Sequence, residues 1–139
     1  MPRSNPAPIR VEPDRRLVFL ISYAIDQVTP KLRDRKQWAP WLEWADSWKS
    51  GRHSPAACVS VAHQCFENKG NPIGHTLGQI AWGAKEACYS TPKSGWLVIR
   101  YIADAMVAFS VAYPEQGVPL LDPPTIDGTA REIKAVART

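Results

Sequence analysis

Apolar side chains recur along most of this chain at intervals of three and four, the period of helices with one face turned inward. Leu17, Leu20, Ile21, Ala24 and Val28 form the first set. Pro13-Asp14 opens it, with Asp14 as N-cap, and Thr29-Pro30 ends it. Pro40 suits the first turn of a second helix, where its missing N–H costs nothing. There Trp41, Trp44, Ala45 and Trp48 share about a third of the circumference, while Glu43, Asp46 and Ser47 face away and Gly51 supplies a stop. Trp38 would join that stripe only if the helix ran backward through Pro40, which Pro disfavours.

Ser54-Pro55 places a cap before a Pro and starts a third helix, running to about Asn68 and closed by Gly70. Its inward face is Cys58, Val61, Ala62, Cys65 and Phe66. Asn71-Pro72 repeats the device for a fourth helix, with Ile73, Leu77, Ile80, Ala84 and Ala87 on one face. Gly74, Gly78 and Ala81 line the adjacent edge, where another backbone can come close. Three glycines in one helix, at about 1 kcal/mol each against Ala, imply tight packing or the approach of a ligand.

A fifth helix, Trp96 to Tyr113, is capped by Ser94 and ended by Pro114. It is apolar all round apart from Arg100, Asp104 and Ser110, which assigns it to the bundle centre. Its length approaches a membrane span, but a charged pair is costly in lipid and nothing basic flanks it as an anchor would. The expected protein is soluble. No stretch alternates as a strand does, so the predicted fold class is all-α, a compact bundle of about five helices. A Pro-rich N-terminal arm covers residues 1–13 and the bundle 14–113. A Pro-rich strap with a short helix over Thr129–Arg138 covers 114–139.

Composition adds bounds rather than chemistry. A chain of 139 residues with 45% hydrophobic content makes one globular domain and needs no disulfide or metal to fold. Three Cys without zinc-type spacing read as buried reduced thiols, Cys58 and Cys65 sharing one helix face, which favours a reducing compartment. The N-terminus, Met1-Pro-Arg-Ser-Asn-Pro, lacks the apolar core of a secretory signal, so the expected location is cytoplasmic. A net charge of +4 permits a nucleic-acid partner without implying one. Nucleotide-binding Gly loops, kinase motifs, a nucleophile elbow and paired-Cys zinc fingers are all missing, and no cofactor is expected.

Candidate chemistry falls in three places. His75, Gln79, Trp82 and Glu86 lie four, three and four apart, hence on one side of helix four, while His63 and Glu67 share a polar face of helix three. Meeting faces would gather two imidazoles and two carboxyl groups, as metal or acid–base sites require. Metal sites in bundles usually carry Glu-x-x-His on two facing helices, which neither helix has. The same residues also read as solvated outer faces, so no catalytic or metal residue is assigned. Arg100 and Asp104, one turn apart on an apolar helix, read first as a structural pair that bridges two helices or reaches the bundle end, and otherwise as a buried pair. Such a pair returns little net stability, so it signals packing specificity or a pocket that uses the charges. The binding candidates are therefore His75, Gln79, Trp82, Glu86, Arg100 and Asp104. The Trp stripe reads first as core, second as a partner surface and last as a nucleic-acid stacking platform. Lys31, Arg33, Arg35, Lys36, Lys49 and Arg52 flank it, but Asp34, Glu43 and Asp46 interrupt the positive field.

The stretch Trp44-Ala45-Asp46-Ser47-Trp48-Lys49-Ser50-Gly51, then Ala56-Ala57, then Gly74-His75-Thr76-Leu77-Gly78-Gln79 with Ala81, Ala84, Ala87 and Tyr89 resembles one known group. It is similar to the small helical immunity proteins of bacterial polymorphic-toxin systems, over roughly residues 14–113. In that family a helix ending in Trp-x-x-Gly precedes an Ala-rich helix and then a His- and Ala-containing helix. This chain has more Trp, fewer Ala and an extra Pro-rich tail. The resemblance implies a non-enzymatic cytoplasmic protein that binds and blocks a toxin, and it carries over no residue role. A protein partner is thus the leading expectation, ahead of nucleic acid and membrane. The alternatives are a ligand-binding or enzymatic site near His75, Glu86, Arg100 and Asp104, and nucleic-acid association through Trp and basic residues.

Overall fold

Local capping sets three of the helix ends in the computed structural model, which describes residues 15–67, 71–89 and 92–116. Helix α1 spans Arg15–Val28 and runs into a 3-10 turn, Thr29–Lys31. Helix α2 is Ala39–Lys49, α3 Pro55–Phe66, α4 Pro72–Ala87 and α5 Pro92–Ala112, followed by a second 3-10 turn, Pro114–Gln116. The Ser54 side chain accepts the Ala57 N–H at 3.2 Å, and Asn71 Oδ1 accepts the Ile73 N–H at 3.1 Å, each before a Pro at the first helical position. Gly51 closes α2 at φ 93°, with the Gly51 N–H on Trp48 O and the Arg52 N–H on Ser47 O, both at 3.0 Å. That paired bonding satisfies two carbonyls the helix end would otherwise leave open.

The predicted fold class holds: five helices pack together and no strand occurs among the described residues. Asp14 and Gly70, the arm over residues 1–13 and the strap beyond Gln116, with its terminal helix, lie outside the described residues.

Two expectations are corrected. Ser94 does not cap α5; the helix begins at Pro92, and Ser94 is buried inside its first turn. The sequence signal was Thr91-Pro92, a cap-like residue before Pro as in the two preceding helices. Nor is α5 the central helix. That place belongs to α4, which packs against α1, α3 and α5 and buries Ile73, Leu77, Ile80, Ala81, Ala84 and Ala87. The reason is side-chain size: glycines and alanines let neighbouring helices approach from several sides. A Cβ on Gly78 would stand 2.6 Å from Phe66 Cε1, and one on Gly83 would stand 3.2 Å from Ile21 Cδ1 and 3.3 Å from Tyr101 Cβ. At these two positions the glycines serve packing, by admitting the Phe66 ring from α3 and the seam with α1 and α5.

Candidate functional site

Helix α2 turns its indoles inward. Trp38, Trp41, Trp44 and Trp48 are all buried, Trp38 at the N-cap of α2 rather than within it. Trp38 therefore joins the core without the helix running back through Pro40, its carbonyl accepting the Leu42 N–H at 3.0 Å. Trp41, Trp44 and Trp48 follow one another at ring distances of 5.9 and 6.0 Å, and His53 closes the row 4.3 Å from Trp48. The Trp41 N–H donates to Leu77 O at 3.0 Å, tying α2 to α4, whereas the buried Trp48 N–H finds no acceptor among the described residues. With these rings enclosed, the stripe offers no stacking platform for bases.

The flanking basic residues are largely engaged within the fold. Arg33 pairs with Glu115 and lies 4.6 Å from the centre of the Tyr113 ring, while its backbone N–H donates to the Tyr113 hydroxyl at 3.0 Å. Lys31 lies over Phe109, Arg35 donates to Thr29 O at 2.9 Å and Lys49 pairs with Asp26. The connection between α1 and α2 is thereby fastened to the far end of α5.

The candidate residues divide into two groups. On α4, His75 and Gln79 are joined by a 3.2 Å hydrogen bond between their side chains. Trp82 meets His63 of α3 edge-on at 5.6 Å, and Phe66 of α3 lies 5.7 Å from His75. Lys85 lies 5.1 Å from the Trp82 ring and 3.5 Å from a Glu86 carboxylate oxygen. These are neighbours along a partly exposed seam between α3 and α4. Its carboxylate is already paired, and no three His, Cys, Asp or Glu gather as metal ligands among the described residues. The second group is Arg100 and Asp104 on α5. Burial of this pair is not found: both side chains face solvent. Among the described residues neither makes an ion pair, and neither is hydrogen-bonded to the α4 row. No single concave site unites the six residues. The pocket beside Trp38 and Trp41 lies elsewhere, between α2 and α3, and at about 30 Å³ it has room for water rather than a substrate.

Sequence reading missed the feature that surrounds Arg100 and Asp104. Trp96, Val107 and Val111 are 48%, 66% and 64% exposed, and with the two charges they occupy about a quarter of the circumference of α5. The residues alone gave no warning, because α5 has apolar side chains on every side and periodicity cannot say which will be covered. By length and composition α5 is apolar enough to cross a membrane, and 44% of that stretch is buried within the fold.

The three cysteines are free and buried. Burial pushes the Cys65 thiol up to about 12. Cys58 is pushed up too, chiefly by the neighbouring Cys88 thiol and then by burial. The Cys58 and Cys65 thiols are thereby poor nucleophiles, since the thiolate is the reactive form.

The chain matches no family model, no curated protein and no solved structure.

Proposed function

We propose that this chain is a non-enzymatic protein-binding domain working in a reducing, cytoplasmic setting. The observation that carries the reading is the outward face of α5, where large apolar side chains surround two unpaired charges. Exposed apolar surface of this kind, with charge among it, characterises docking faces rather than catalytic clefts. The division of the polar candidates supports the same reading. His75, Gln79, Trp82 and Glu86 have partners along a helix seam, and among the described residues nothing aligns a base with a nucleophile. Three buried free thiols suit the reducing compartment.

In its specific form the proposal is an immunity-type inhibitor, resting on the motif resemblance over residues 14–113. Such an inhibitor covers a toxin surface through shape and charge and needs no catalytic group. The test is co-purification of the full chain with the product of a neighbouring toxin-like gene. A 1:1 complex that silences the toxin, and is lost in Val107→Lys/Val111→Lys, is the expected result. A toxin that stays active and unbound at micromolar concentrations overturns the inhibitor reading.

A further inference from the structure

The exposed face of α5 carries its charges in an order that matches itself. Trp96, Arg100, Asp104, Val107 and Val111 follow one another along about 22 Å of helix, at 1.5 Å per residue. Arg100 and Asp104 stand about 6 Å apart along the axis, with opposite signs, both exposed and both without an ion pair among the described residues. We propose that this face docks a second copy of the chain, the two α5 helices antiparallel across a two-fold axis, each Arg100 against the other's Asp104. The proposal rests on the reading of that face as protein-binding and names its occupant when no toxin is bound; a toxin seated there displaces the second copy.

Register follows from the sequence. A two-fold axis at position 102 brings 100 opposite 104 on both sides at once, and position 96 opposite 108. Trp96 of each copy then covers the Val107 of the other at the flanks of the charged centre, and the exposed Lys93 at the start of the helix lies opposite Val111. A parallel pairing would set Arg100 on Arg100 and Asp104 on Asp104, so charge selects the antiparallel arrangement. Two-fold contacts are isologous, and a surface holding one charge of each sign about a centre is self-complementary in that sense. A partner presenting a single sign would repel one of the two charges. A lipid surface would bury Asp104 along with the apolar residues, which is costly in hydrocarbon. A pair of single helices makes a small interface, so association belongs in the micromolar range and depends on concentration.

Sedimentation of the full chain, from low to several hundred micromolar, tests this. Wild type should pass from monomer to dimer mass across that range. Arg100→Asp makes the centre wholly acidic and Asp104→Arg makes it wholly basic, so each variant alone should stay monomeric. Mixed together they should form a heterodimer, because every acidic position then meets a basic one. That rescue cannot come from a folding defect. Monomer at every concentration overturns the proposal, as does a dimer indifferent to charge reversal. Flotation of the wild type with anionic vesicles, without self-association, also overturns it in favour of a membrane. The broader reading is separated by Val107→Lys/Val111→Lys. If the wild type is monomeric yet this variant loses a toxin partner, only the second copy is wrong; if neither effect occurs, both readings fall.

Discussion

Trp41 on α2 and Trp96 on α5 are the same residue type in two helices of one small bundle, with opposite fates. Trp41 is enclosed, its N–H held by Leu77 O across the interface with α4, and it begins a row of mutually tilted rings that ends at His53. Trp96 is half exposed on a helix whose outer face also presents Val107 and Val111. Polar residues outside α2 oblige its indoles to turn inward, because Glu43, Asp46 and Ser47 occupy the solvent side. On α5 nothing polar competes for the outside except Lys93, Arg100, Asp104 and Ser110. Apolar surface left in water after a core is complete points to use by another molecule.

Substitution should separate the two regions most sharply. Trp41→Ala should cost about 3–5 kcal/mol of unfolding free energy, the usual range for a buried aromatic, whereas Val107→Ala on the open face of α5 should stay within about 0.5 kcal/mol. Urea midpoints measure both. Equal losses would erase the distinction between wall and face.

Alkaline titration probes the buried side alone. Cys65 has its folded thiol raised from 9.0 to about 12, so between those values the unfolded chain has released a proton that the folded chain retains. Stability is fully present below pH 9 and falls as pH rises toward 12, by about 1.4 kcal/mol per pH unit for one thiol. Cys65→Ala should flatten this limb, although it lowers stability at neutral pH. An unchanged limb, followed by circular dichroism, would contradict the burial.

Gly78→Ala tests the seam between α3 and α4. The added methyl collides with the Phe66 ring, and overpacking should cost about 1–3 kcal/mol, offset by about 1 kcal/mol of improved helix propensity. Pairing it with Phe66→Ala should leave a smaller penalty than the sum of the two single changes. Additive losses would show that the contact is not shared. Smallest is the difference between Trp41→Phe and Trp48→Phe. The first removes a made hydrogen bond and the second a buried donor lacking one. Trp41→Phe should therefore be worse by about 1 kcal/mol, measured by the same urea midpoints.

Much of the helix layout was legible from the residues. Ser54-Pro55, Asn71-Pro72 and Gly51 mark ends because capping involves only bonds within a few residues, and the structure places them as read. Trp38 was harder, since its burial depends on the loop entering α2 rather than on a helical position. The candidate site was legible only in part. The row from His75 to Glu86 does share one side of α4 and meets His63, as the spacing suggested. That Arg100 and Asp104 would stand apart from it, in water, was not readable.

What the chain determined by itself is local: where helices begin and stop, that α2 has one wet side, and that α4 is made of residues small enough to be approached closely. These follow from backbone capping, side-chain size and a period of 3.6. Only the packed molecule decided which helix lies at the middle and which side of α5 is left uncovered. Those outcomes depend on contacts between segments distant in sequence, and an apolar helix without a polar side carries no mark of its own orientation.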